Sequence, residues 1–236
     1  MADGTIDRRG FLRLGLAAGP VSLLAACGYE GSDGVKSRLE DISRLNDWMG
    51  EHLFLSQRPA RKYPESSRSL KMPIYHISKE VPTLGDEPWA LEVAGEVKRP
   101  TRLTREMLEQ FPRLSYTVKH HCVEGWTAIA SWAGVPFSTI AGLVEPTARA
   151  RYVRFDSFDQ DYFNGWDLAS AMHPETILAY ARNDQPLTPE YGAPLRLYSP
   201  VKLGYKLTKY LTRVTFTYER PGGYWEDKGY PWFAGI

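Results

Sequence analysis

Two imidazoles, a thiol and a carboxylate fall within five residues in the stretch Val118-Lys119-His120-His121-Cys122-Val123-Glu124-Gly125-Trp126. Three chemistries compete for the thiol. It could be a nucleophile activated by histidine. On an extended chain His120 and Cys122 share a face while His121 points away, so His120 would be the base. It could bind zinc, but zinc takes three or four protein ligands, and no second Cys-x-x-Cys or His-x-x-x-His cluster supplies them. It could bind a softer metal whose other ligands come from a cofactor, in which case one protein thiolate suffices. A solitary cysteine fits the third chemistry best, and an inert buried cysteine is the plain alternative.

A cofactor of that kind carries a phosphate. Arg196, Lys202, Lys206 and Lys209 crowd into fourteen residues around Gly192 and Gly204. Arginine grips phosphate bidentately and lysine adds a point charge, so the mix suits a buried anion. A solvated basic face with turn glycines would read the same way. The 7 Trp and 14 Tyr suit a pocket for a planar ligand as well as they suit a core.

The elements that must position these residues are short. Trp89–Val97 and Ser115–Val118 alternate as strands, the second delivering the thiol at its end. Leu103–Phe111 and Phe137–Leu143 read as short helices, as do Leu168–Met172 and Glu175–Ala181. Arg151–Phe155, Pro194–Tyr198 and Leu211–Tyr218 read as strands, and Met72–Ile77 as a strand or extended loop. With no regular βαβ rhythm, an α+β fold is expected, as a single mixed domain over residues 71–236. Residues 28–70 read as linker and N-terminal extension, with a polar helical patch at Leu39–Leu55.

The N-terminus reads as an address. Asp7-Arg8-Arg9-Gly10-Phe11-Leu12 matches a twin-arginine export signal, followed by an apolar run too short to span a bilayer. Leu24-Ala25-Ala26-Cys27 resembles a lipoprotein box, so residues 1–27 are expected to address the chain to the periplasm, with a membrane anchor if Cys27 is lipidated. A net charge of +1 excludes a strongly basic nucleic-acid binder.

Several motifs in order resemble one family. His121-Cys122-Val123-Glu124-Gly125-Trp126-Thr127, Val153-Arg154-Phe155-Asp156-Ser157, Ala171-Met172-His173-Pro174, Tyr191-Gly192-Ala193-Pro194-Leu195-Arg196-Leu197 and Lys202-Leu203-Gly204-Tyr205-Lys206 are similar to segments of the sulfite-oxidase-like molybdopterin enzymes. The exported methionine-sulfoxide reductase type is the nearest match, from Met72 onward. The resemblance implies a Mo-molybdopterin cofactor with Cys122 as the metal ligand. It further implies that Tyr75, His76, Ser157, Tyr191, Arg196, Lys206, Leu207, Thr208 and Lys209 contact the cofactor. His120 and Arg154 stand as catalytic candidates, with Lys119 and Arg151 also placed at the substrate mouth. Three positions depart from the pattern: Met72 and Tyr191 replace asparagines, and His121 stands where arginine is common.

The expected function is oxygen-atom transfer, reduction of a sulfoxide, in a monomer. Sulfite oxidation with electrons passed to a cytochrome is the alternative. The sequence has no Cys-x-x-Cys-His site, so a separate haem-containing redox partner is expected. From other classes, a cofactor-free binding lipoprotein and a thiol hydrolase using Cys122 and His120 stay open.

Overall fold

A computed structural model describes residues 33–53, 59–84 and 88–236. The twin-arginine and lipoprotein motifs lie outside the described residues. The chain forms two compact units, residues 1–45 and 46–236. In the first, the described residues belong to the start of helix α1 (Asp33–Leu53), where Arg44 pairs with Glu40 and Asp41 one turn away.

The second unit holds two sheets. In chain order the strands are β1 (Ala90–Gly95), β2 (Thr101–Thr104), β3 (Leu114–His121), β4 (Thr127–Pro136), β5 (Tyr152–Ser157), β6 (Phe163–Asp167), β7 (Ile177–Arg182), β8 (Gln185–Pro186), β9 (Arg196–Tyr198) and β10 (Leu211–Thr217). The first sheet runs β2-β1-β10-β5-β6 and the second β3-β4-β7-β8, with β9 also paired to β7. Only the β1–β10 contact is parallel within the first sheet; β2, β5 and β6 join antiparallel. Three further short helices connect them: α2 (Arg105–Glu109), α3 (Phe137–Val144) and α4 (Leu168–Ala171).

Alternation in β1 buries Leu91 and Val93 while Glu92 faces out, the period-two pattern of a half-buried strand. β7 instead buries Ile177 through Ala181 without a break, so both of its faces are covered. That continuous run is the reason Glu175–Ala181, expected to be helical, is a strand: an apolar stretch of this length carries no period to separate the two. Leu103 likewise belongs to β2, and the helix begins only at Arg105, capped by the Thr104 hydroxyl accepting from Met107 N–H. Phe137 opens α3 and packs on Phe155 and Phe216 of the first sheet, 5.6 and 5.8 Å between ring centroids. One apolar core thus joins both sheets.

The mixed α+β architecture matches the expected class, and the rims of both sheets carry the residues that matter for chemistry. Among the described residues no helix is long and apolar enough to cross a membrane.

Candidate cofactor site

Cys122 stands just past the end of β3, where the chain turns into β4. Its N–H donates to the Trp126 carbonyl at 3.0 Å, and Gly125 N–H donates to the Cys122 carbonyl at 3.1 Å. The turn needs a φ of 87° at Gly125, which a residue without Cβ adopts at no steric cost. The thiol is half-buried and lies 3.7 Å from a Glu124 carboxylate oxygen. The Trp126 indole N–H holds that same oxygen at 2.8 Å. Burial pushes the Cys122 thiol pKa up, and the Glu124 charge adds to the rise against hydrogen bonds from the turn backbone.

His120 is 5% exposed, its ring between Trp126 and Tyr198 at 5.5 and 6.0 Å. Burial, then the charges of Arg196, His121 and Arg182, push its pKa down to about 3. A ring that holds a proton so weakly is no base for a thiol whose own pKa is raised, so the pair lacks the activation a cysteine hydrolase needs.

The thiol opens into a cavity of about 240 Å³. Tyr75, His76, His120, Cys122, Ser157, Tyr191, Arg196, Leu207 and Lys209 all line it, so nine expected site residues from six separate stretches of chain meet there. Three others lie elsewhere. Lys206 is fully buried beneath the site, its ammonium donating to the Gly165 carbonyl and paired with Glu226. The Thr208 hydroxyl is also buried and accepts from the Asn164 amide at 3.3 Å. Arg154 sits on the open face of the first sheet, bonded to Asp156 at 2.7 Å and stacked 3.8 Å over Phe163. Lys119 and Arg151 are also away from this cavity: the Lys119 ammonium lies 5.6 Å over Tyr63, and Arg151 lines a separate surface cleft.

The cavity also carries positive charge. Arg196 is 4% exposed; its guanidinium donates to the carbonyls of Tyr191 and Leu207 at 3.0 and 3.2 Å, and its Nε has no partner. Burial pushes its pKa down to about 10. The Lys209 ammonium donates to the Glu190 carbonyl at 2.9 Å, and burial together with Arg196 pushes its pKa down to about 7. These cations bond to main-chain carbonyls rather than carboxylates, so a buried anion would relieve both. Gly192 makes room for the pair: a Cβ there would fall 2.7 Å from the Lys209 Cβ.

Sequence reasoning missed the groups that hold the rim. The Asp159 carboxylate is 3% exposed and accepts from Ile77 N–H at 2.7 Å and Ser78 N–H at 2.8 Å. It thereby pins the loop that presents Tyr75 and His76. Tyr210 lines the cavity with φ of 55°, a conformation uncommon for an aromatic residue, and its buried hydroxyl is unpartnered. Trp225 and Tyr230 come from the C-terminal stretch, where aromatic content was plain but no spacing pointed to a ligand.

Among the described residues no three His, Cys, Asp or Glu side chains converge on a metal-sized point. A metal at Cys122 therefore takes its other ligands from a bound group, and the unpaired cations and orphaned polar atoms fit a group with an anionic end. Fold and site together define an α+β protein with a pocket suited to a group that carries an anionic end, a free thiol in its wall. The chain belongs to the family described as the oxidoreductase molybdopterin binding domain, which it matches over residues 78–225.

It is 40% identical over 230 residues to a putative protein-methionine-sulfoxide reductase subunit YedZ1 of Azospira oryzae, spanning 97% of this chain and 87% of that one. It is 32% identical to the protein-methionine-sulfoxide reductase catalytic subunit MsrP of Campylobacter jejuni over 59% of this chain, and spans about half (52%) of that relative. The fold is similar to that of the sulfane dehydrogenase SoxCD from Paracoccus pantotrophus, with a TM-score of 0.56 at 21% identity, over 59% of this chain and 41% of that one. The protein is a molybdopterin-dependent oxidoreductase, and its cofactor is Mo-molybdopterin.

Proposed function

We propose that this is an exported oxygen-atom-transfer enzyme that reduces a sulfoxide, with Cys122 as the protein ligand to molybdenum. One observation carries the reading: a single cavity is lined by Cys122 and by the cations Arg196 and Lys209, whose hydrogen bonds go to main-chain carbonyls rather than to carboxylates. The cysteine holds the metal and the cations hold the anionic end of the pterin. Tyr75, His76 and Ser157 border the space between them, and Tyr191 positions Arg196 through its carbonyl. Lys206 and Thr208, whose side chains are buried and do not line the cavity, support its wall in this reading.

The cofactor, when bound, supplies the two-electron redox chemistry. The reaction consumes a sulfoxide, two electrons and two protons and releases a sulfide and water. The electrons come from a separate haem-containing partner. The Glu124 carboxylate beside the thiol disfavours the sulfite dianion and tolerates a neutral sulfoxide, which favours reduction of the latter. The relatives named for methionine-sulfoxide reduction support the same substrate. Residues 1–27 direct twin-arginine export to the periplasm, and lipidation of Cys27 would hold the enzyme at the membrane surface.

The test is metal and pterin content of the exported protein, with dye-coupled assays for sulfoxide reduction and sulfite oxidation. Wild type should hold one molybdenum and one pterin and reduce the sulfoxide. Cys122→Ala should lose the metal and all turnover. Sulfite oxidation without sulfoxide reduction, or an active, loaded Cys122→Ala, would overturn the proposal.

A further inference from the structure

The outer part of the cavity is built from rings. Tyr75 and Trp225 lie 6.0 Å apart between centroids, and Trp225 and Tyr230 lie 5.1 Å apart, with mutual tilts near 50°. All three line the cavity, and Val123 and Ile74 extend the same apolar surface. Tyr75 is 53% exposed and Tyr230 37%, so these rings present apolar surface to solvent at the cavity. Exposed aromatic rings grouped at a cavity mouth lose contact with water only when something fills the space between them.

The collar is held rigid from both sides. On one side Asp159 pins the loop carrying Tyr75, as described above. On the other, residues Trp225 to Tyr230 close on themselves: Lys228 and Tyr230 N–H both donate to the Trp225 carbonyl, at 2.9 and 3.1 Å. The Glu226–Lys206 ion pair and the Tyr205 hydroxyl, donating to the Pro231 carbonyl at 2.7 Å, fasten this loop to the cavity wall. A preformed surface loses little conformational freedom on binding, so its contacts translate into affinity. The family match ends at Trp225, five residues before Tyr230.

We infer that Tyr75, Trp225 and Tyr230 form a subsite for the carbon substituent of the substrate, selecting sulfoxides that carry one flat or bulky apolar group over small ones. The inference rests on the sulfoxide reading and names the substrate class within it. The physical basis is twofold. Apolar area on the substituent is removed from water against the rings, and offset or edge-on ring packing adds to it. Sulfur held at a ring edge gains a further favourable contact. A small dialkyl sulfoxide reaches Cys122 without filling the collar and gains neither.

The test uses the full, molybdenum-loaded protein with a reduced viologen dye as electron donor. Two probes are compared, methyl phenyl sulfoxide and dimethyl sulfoxide. Wild type should show the higher kcat/KM with the phenyl compound. Trp225→Ala should lower kcat/KM for it ~10-fold, through KM, and leave dimethyl sulfoxide within ~2-fold. Trp225→Phe, which keeps a ring, should restore most of the loss. Tyr218→Ala, just past β10 and away from the cavity, should change neither. Equal losses on both probes at full metal content, or no loss on either, would overturn the subsite.

If loaded wild type reduces neither sulfoxide, the functional reading fails and the collar is judged by binding alone. Calorimetry with methyl phenyl sulfone, which has the shape of the substrate but is not reduced, then decides. Binding weakened ~10-fold in Trp225→Ala supports the subsite; equal binding, or none to wild type, overturns it.

Discussion

Lys209 offers a test in which cofactor-free and cofactor-loaded protein should respond with opposite signs. Its ammonium is partly buried beside Arg196, with Asp159 and Glu190 as opposing charges, and its pKa falls from 10.5 to about 7. Below pH 7 the group is charged in both folded and unfolded protein, and the folded state carries the full cost of holding it. Between pH 7 and 10.5 the folded state has released the proton that the unfolded state still binds. Stability therefore rises with pH across that window. At ~1.4 kcal/mol per pKa unit the drop caps the effect at ~5 kcal/mol, and partial solvent contact brings the expected cost to ~2 kcal/mol.

Lys209→Met should remove that cost. In protein made without cofactor, the variant should be more stable than wild type at pH 6 by ~2 kcal/mol, or roughly 4–8 °C in Tm for a domain of this size. The advantage should vanish by pH 10. In the loaded protein the same change deletes a charge-assisted hydrogen bond to the anionic end, ~1.5–3 kcal/mol, and should weaken cofactor retention roughly 10- to 100-fold. Differential scanning calorimetry at the two pH values and pterin release on dilution read both effects. If the variant is destabilised equally at pH 6 and pH 10, Lys209 serves as a structural donor to the Glu190 carbonyl and the anion argument fails.

Other sites give independent checks. Asp159→Asn should loosen the loop at residues 72–78 by ~1–3 kcal/mol while the global unfolding midpoint moves little, seen as faster amide exchange at Ile77 and Ser78. Unchanged exchange would contradict the pinning role. Lys206→Met strands the Glu226 carboxylate, which is 4% exposed, and should cost ~3–5 kcal/mol in urea unfolding. Adding Glu226→Gln should recover most of it. A single variant of normal stability that loses pterin would instead restore Lys206 to the cofactor contacts.

The thiol segment was legible because its chemistry is local: Cys122 sits where a strand ends, and the strand could be read from alternation. The cofactor cations were half legible. Lys206-Leu207-Thr208-Lys209 looked like one block, but Lys206 closes a short 3-10 helix and the chain bends after it, so the four side chains part. Leu207 and Lys209 reach the cavity while Lys206 and Thr208 turn into the core. Arg154 lies away from the cavity because of strand alternation: in β5 its neighbours Val153 and Phe155 are buried, which turns Arg154 to the open face. Asp159 was invisible because its partners, Ile77 and Ser78, lie some eighty residues away and are main-chain groups. The strand at β7 was missed because burial on both faces erases periodicity.

The placement of β10 has a consequence for how the enzyme is made. It is the next-to-last segment of the domain to be synthesised, yet it lies in the middle of the first sheet, between β1 and β5. Until Leu211–Thr217 has left the ribosome, β1 and β5 have no neighbour in common and the sheet stays in two halves. Such long-range pairing slows folding and leaves strand edges open meanwhile. The residues that finish the cavity wall, up to Tyr230, emerge later still. Cofactor loading must then follow synthesis of the residues up to Tyr230, so translation and closure of the sheet come before capture of the pterin.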